Sequence, residues 1–266
     1  MKRFVLPCLC TMLAVCSSLS ADEKGQIVIF KLDDMSARYV NYERVVEFAV
    51  KEGIKVNFGV FGSALASGKQ EFIDWIKELK KTGLFEFWNH GYGGFGHPKE
   101  FEGTGYEAQK EAIFRTQELS KEKLGEYFIA FGPHASAVDA DTWKVLAERP
   151  EIRAVWAAVP AELAGRIIRI ERKINMENPT TKMNKEKFLS DYAVRGKDLE
   201  YISLQGHPNA WDEAQFEQFK EVALFLKKQG CRFMTVSEFV RYKTGQGAAS
   251  APAEKPPVAG TAPEAR

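Results

Sequence analysis

The chain has 266 residues, 45% of them hydrophobic and 27% charged, with 37 Lys and Arg against 36 Asp and Glu. That length suffices for one α/β barrel or two smaller domains with a full core, and the composition is ordinary for a globular protein. The near balance of charge excludes the strongly basic surface that nucleic acid or an anionic membrane would call for.

Lys2 and Arg3, the apolar stretch Phe4 to Val15 and the small residues Ser17, Ser18, Ser20 and Ala21 have the three parts of a secretory signal peptide, assigned to residues 1–21. Its apolar part is short for a bilayer span, so export to the periplasm or the medium without stable membrane insertion is expected. Leu13 to Cys16 offers a weaker alternative, a bacterial lipoprotein site that Val15 fits poorly. Cys8, Cys10 and Cys16 fall in this leader and leave Cys231 alone in the body, residues 22–243, which excludes an internal disulfide. Residues 244–266 are rich in Ala, Pro and Gly and read as a disordered, solvated tail.

Strand-like and helix-like segments alternate through the body. Ile27 to Phe30 reads as a strand, followed by a helix from Tyr39 to Glu52 with Val45, Val46, Phe48 and Ala49 on its apolar side and Gly53 as its stop. Next come a strand Lys55 to Val60, a helix Gln70 to Lys81 and a strand Leu84 to Trp88. A glycine-rich loop leads into the long helix Tyr106 to Leu124. Tyr127 to Phe131, Ile152 to Trp156, Arg166 to Ile170 and Glu200 to Leu204 are further strands, with a helix Asp139 to Glu148 among them. Helix Glu213 to Lys228, strand Arg232 to Thr235 and helix Ser237 to Tyr242 complete the body, while Glu171 to Lys197 has no clean period. Strands separated by helices of this length predict parallel βαβ units in an α/β fold, and a barrel of about seven strands is favoured over a doubly wound sheet.

Asp33 and Asp34 follow directly on the first strand, and neighbouring carboxylates repel unless a cation or a shared proton relieves them. The chain's four histidines, His90, His97, His134 and His207, all lie in loops after predicted strands. In a barrel these positions share the carboxyl-terminal face, where active sites are built. Singly each histidine reads as structural; together with two carboxylates they point to a metal-assisted hydrolase.

These motifs resemble the polysaccharide deacetylases of carbohydrate esterase family 4, over roughly Gln26 to Tyr242. The run Phe30, Lys31, Leu32, Asp33, Asp34 resembles the family's first motif, Asn89, His90, Gly91, Tyr92 its second, and Leu204, Gln205, Gly206, His207, Pro208 the motif of its catalytic histidine. The resemblance implies a distorted (β/α) barrel that removes N- or O-acetyl groups from an acetylated polysaccharide or oligosaccharide. It implies Asp33 as general base, His207 as general acid, and Asp34, His90 and His97 as ligands of a divalent metal. Such a two-histidine, one-carboxylate set suits zinc, and also cobalt or another first-row metal. The chain departs from the family where His97 stands three residues beyond the usual position of the second histidine, now Gly94. It departs again where Phe131, Gly132, Pro133, His134 lacks the usual arginine, and where no Asp partner for His207 is evident after Trp156.

His134 is then a replacement ligand or a donor to the substrate. Tyr92, Trp156 and Trp211, with Trp88 and Phe95, are candidates for a sugar platform or for packing. Asn89 either orients His90 or shapes its turn. Two other readings stay open: a carbohydrate-binding barrel that has lost turnover, and a metal hydrolase of another C–N or ester bond.

Overall fold

A computed structural model describes residues 25–67, 69–93 and 99–246. The signal-peptide assignment, the tail beyond residue 246, and His97 and Phe95 therefore lie outside the described residues. The elements in chain order are β1 (Ile27–Met35), α1 (Val40–Glu52), β2 (Val56–Val60), α2 (Gly62–Ala66), α3 (Gln70–Lys81), β3 (Phe85–Asn89), α4 (Tyr106–Leu124) and β4 (Ala130–Phe131). They continue with α5 (Ala140–Ala147), β5 (Ala154–Val155), β6 (Ile168–Arg169), α6 (Lys185–Asp191), β7 (Tyr201–Gly206), α7 (Glu213–Lys228), β8 (Arg232–Phe233) and α8 (Val236–Lys243).

All strand pairs are parallel, in the order β6-β5-β4-β3-β2-β1-β7, and β8 pairs with the first residues of β1. Among the described residues β6 and β7 do not pair, so the sheet curls into an open half-barrel. This is the expected distorted barrel, with seven strands along its main path.

Every residue of β1 is buried, as a central strand covered on both faces requires. Its side chains alternate: Val28, Phe30 and Leu32 join the core beneath α1, α3 and α7, whereas Ile27 and Ile29 join Trp88, Ala130, Ala154, Trp156 and Phe239 inside the barrel. The strand runs on through both aspartates to Met35, beyond the apolar run that marked it in sequence. Conversely, β4, β5, β6 and β8 span only two residues each, although their surroundings are apolar. Apolar runs report burial, and Phe128 and Ile152 are buried without extending the ladder.

Local chemistry sets the helix ends. Gly53, with φ of 65°, closes α1 by donating its N–H to the Ala49 and Val50 carbonyls. Asp139 with Thr142 and Thr235 with Glu238 form capping boxes that start α5 and α8. The short helix α2 was not expected; Gly62 lets it lie against α4, since a Cβ there would come within 2.2 Å of Thr116 Oγ1. Within the unreadable segment, α6 begins at Asn184, whose side chain accepts from the Lys187 N–H. Among the described residues no helix is long and apolar enough to cross a membrane.

Phe219 of α7 is fully buried against Phe30, Phe48 and Trp211, with ring centroids 5.2, 5.9 and 5.0 Å away. Replacing it by Ala is expected to cost about 3–5 kcal/mol of stability, read as a lowered midpoint in urea denaturation with the slope unchanged.

Candidate active site

The alternation of β1 places Lys31 and Asp33 on the inner face, in line with Ile27 and Ile29. Asp34 should then point outward, toward the helices. Instead β1 carries one extra residue between Leu32 and Met35, opposite only the step from Phe58 to Val60 in β2. Asp34 takes a left-handed backbone there, with φ of 67°, which Asp tolerates better than most residues. This bulge turns Asp34 to the same cavity as Asp33. The two carboxylates are 2% and 4% exposed, so their charge must be answered by protein groups or ions.

Lys31 answers Asp33. Its Nζ donates to Oδ1 at 2.6 Å and to Oδ2 at 2.5 Å, and Gln205 Nε2 adds a bond to Oδ2 at 2.6 Å. The ammonium also lies 4.6 Å from the ring centre of Trp88 and 5.4 Å from that of Trp156. Gly59 and Gly132 make room for the Trp88 ring, because a Cβ at either would come within about 2.5 Å of it. Burial alone would raise the Asp33 pKa; the charges of Lys31, His90 and His207, and the Lys31 hydrogen bond, outweigh it and hold the carboxyl below its ordinary value. Burial lowers the Lys31 pKa, with Asp33 opposing. In a chain whose Phe131 to His134 run has no arginine, Lys31 and Gln205 hold the Asp33 carboxylate in place.

His90, at the end of β3, donates its Nδ1–H to the Gly132 carbonyl at 2.7 Å. Its Nε2 is thereby committed to face Asp34 Oδ1, 3.1 Å away. An imidazole nitrogen and a carboxylate oxygen at that distance are spaced as two neighbouring ligands of one ion, so the pair fits a divalent metal. Asn89 shapes the turn and does not touch His90: its Oδ1 accepts from the Gly91 N–H at 2.9 Å. Phe61 stacks on the His90 ring and meets His134 edge-on, with centroids 4.8 and 5.4 Å away.

His134 follows β4, and its Nε2 is 4.0 Å from the same Asp34 oxygen. Ligand bonds of roughly 2.0–2.2 Å put two donors of one ion about 3–3.5 Å apart. Among the described residues, accordingly, no three side chains stand spaced as a complete metal site. Asp34 and His90 are in place, His134 is nearest to completing the set, and His97 lies outside the described residues.

His207, at the end of β7, faces Asp33 across the cavity, with Nε2 3.9 Å from Oδ2. Its partner, unseen in the sequence, is Glu177. The Glu177 carboxylate accepts from His207 Nδ1 at 2.6 Å, the His207 backbone N–H at 2.8 Å, Trp211 Nε1 at 2.7 Å and the Thr181 N–H at 2.9 Å. Burial would lower the His207 pKa; the Glu177 hydrogen bond and the charges of Asp33, Glu177 and Asp34 outweigh it and raise it above the ordinary imidazole value.

A cavity of about 370 Å³ joins these groups, lined by Asp33, Asp34, His90, His134, Gln205 and His207 with Arg172 and Thr180 at its side. Tyr92, Trp88, Trp156 and Trp211 do not line it. Trp156 and Trp211 are 5% and 4% exposed and spend their indole N–H groups on Ser203 and Glu177, so they brace the site from behind. Tyr92 packs under the Arg115 guanidinium, 4.4 Å from ring centre to carbon. Lys31 was legible as a charge inside an apolar strand, two residues before a carboxylate on the same face. Glu177 and Arg172 come from the aperiodic segment and carried no local signal.

The chain matches no protein-family model and no curated protein. Its fold is similar to that of a Mycobacterium smegmatis protein assigned as a polysaccharide deacetylase, at 13% identity and a TM-score of 0.65 over 90% of this chain and 98% of that one. A family 4 acetyl xylan esterase from Clostridium thermocellum, in complex with a cobalt ion, matches at 15% identity and a TM-score of 0.59, over 83% and 92%. A carbohydrate esterase family 4 pseudoenzyme from Bacillus anthracis matches at 14% identity and 0.57, over 82% and 66%. At such identities the likeness establishes a shared architecture, the carbohydrate esterase family 4 fold.

Lys31→Met leaves the Asp33 carboxylate buried without its cation and is expected to destabilise the protein by about 3–5 kcal/mol. Adding Asp33→Asn should restore part of that loss. Equal and additive losses in a urea double-mutant cycle would show that the two side chains do not depend on each other.

Proposed function

We propose that this chain is a metal-dependent hydrolase that removes acetyl groups, N- or O-linked, from a carbohydrate, and that it is a divergent member of carbohydrate esterase family 4. The observation that carries this reading is the opposition of Asp33 and His207 across one cavity, each backed by its own charged partner, with Asp34 and His90 beside them. The fold shared with esterases and deacetylases supports it.

Asp33 is the general base. Lys31 and Gln205 orient its carboxylate and keep it ionised, so it accepts the proton of the attacking water. His207 is the general acid: Glu177 holds Nδ1–H, which leaves Nε2 to carry a proton to the departing amine or alcohol. Asp34 and His90, with His134 or His97, are the ligands of a divalent ion, zinc or another first-row metal. Bound there, the ion supplies Lewis-acid polarisation of the acetyl carbonyl and a lowered water pKa. With the leader read from residues 1–21, the protein acts outside the cytoplasm on an acetylated polysaccharide or oligosaccharide.

A second reading, a carbohydrate-binding barrel without turnover, draws on the 4.0 Å separation of His134 from Asp34. Acetate release from acetylated oligosaccharides by the metal-loaded protein separates the two. Asp33→Asn and His207→Ala should each lower the rate by about 10²–10⁴-fold; binding of metal and sugar with no release selects the second reading.

Glu177→Gln removes the charge that raises the His207 pKa. The alkaline limb of the kcat/KM profile, where His207 loses its proton, should therefore move to lower pH. An unmoved limb would remove His207 as the acid. Metal titration of His134→Ala and His97→Ala, followed by calorimetry, assigns the third ligand: the weakened variant identifies it, and loss in both makes the site four-coordinate from protein.

A further inference from the structure

The cavity that holds Asp33 and His207 shares Arg172, Thr180 and Gln205 with a second cavity of about 260 Å³, completed by Asn175 and Glu177. Arg172 is the cation of that shared wall. Its Nη2 donates to Ser136 Oγ at 3.0 Å, and among the described residues this is its one hydrogen bond, with no carboxylate at ion-pair distance. A guanidinium carries five N–H donors, so most of its fork is turned to the cleft or to solvent.

The acids around it are already engaged. Glu171, its sequence neighbour, pairs with Arg169 at 3.0 Å and with Lys173 at 3.5 Å. Glu177 receives four donors, from His207 twice, Trp211 and Thr181. Asp33 is paired with Lys31, and Asp34 faces His90. Arg172 is thus, among the described residues, a cation without a carboxylate partner beside the reacting groups.

We propose that Arg172 recognises an anionic substituent, a carboxylate or a sulfate, on the sugar whose acetyl group enters the Asp33–His207 cavity; the substrate is an acidic acetylated saccharide. This rests on the carbohydrate hydrolase reading of the site. The Ser136 contact fixes one edge of the guanidinium and leaves the other for a two-point bond to the anion, with the Asn175 and Thr180 side chains lining the same pocket.

The test is direct binding, separate from turnover. Metal-loaded protein and Arg172→Gln are titrated calorimetrically with three deacetylated oligosaccharides: one with a uronate, one with a sulfate and one neutral. Expected is tighter binding of an anionic ligand, weakened about ten- to a hundredfold in Arg172→Gln, with neutral binding unchanged. Whether the uronate or the sulfate shows the loss identifies the anion. Equal binding of all three, or an equal loss for all three in the variant, overturns the proposal. Acetate release without anionic preference leaves the hydrolase reading standing and removes this one; anionic preference without acetate release does the reverse for turnover. A restored anionic preference in Arg172→Lys, weaker than wild type, confirms charge as the determinant.

Discussion

The buried pair of Lys31 and Asp33 is the constraint on which the site depends. Two residues apart on a strand puts both side chains on the same face as near neighbours, and here that face is the inside of the barrel. The pair is 2% exposed on each side, where a lone carboxylate or ammonium would be very unfavourable. Everything around it serves that charge pair. The indole faces of Trp88 and Trp156 take the ammonium, two glycines make space for Trp88, and Gln205 reaches across from β7 to the outer carboxylate oxygen. The Asp33 carboxylate is thus held by the strand that bears it and by its neighbour β7.

A second constraint acts at the other wall. His207 ends β7, but its orientation is set by Glu177, a residue thirty positions earlier in the chain. That carboxylate gathers donors from His207, Trp211 and Thr181 and so binds the segment between β6 and β7 to the sheet. The same segment places Arg172 at the cleft. One stretch of chain therefore sets both the protonation of His207 and the cation at the cleft.

Adjacent aspartates can share a cavity only if the strand breaks its alternation, and the bulge at Asp34 provides that break. A left-handed residue in a central strand is unfavourable, and it persists because Tyr42 holds the Asp33 carbonyl at 2.9 Å while β2 and β7 hold the strand on both sides. The neighbouring carboxylates thus meet different partners: Asp33 is paired with Lys31 and Gln205, and Asp34 faces His90 and His134.

Periodicity alone determined much of this protein. The helices over residues 70–81, 106–124 and 213–228 fall where their apolar spacing places them, since each buries one continuous face. The parallel barrel follows from strands alternating with helices, and Asp33, Asp34, His90 and His207 follow from carboxylates and imidazoles at strand ends. What only the tertiary structure decided is which charges meet. Glu177 and Arg172 lie in a segment with no period, Trp156 and Trp211 read equally as platform or packing, and His134 gains its meaning from a distance to Asp34 across two strands. Local pattern records how a segment buries its own face. The pairing of ionisable groups far apart in the chain is fixed by the curl of the sheet, to which no single segment carries the answer.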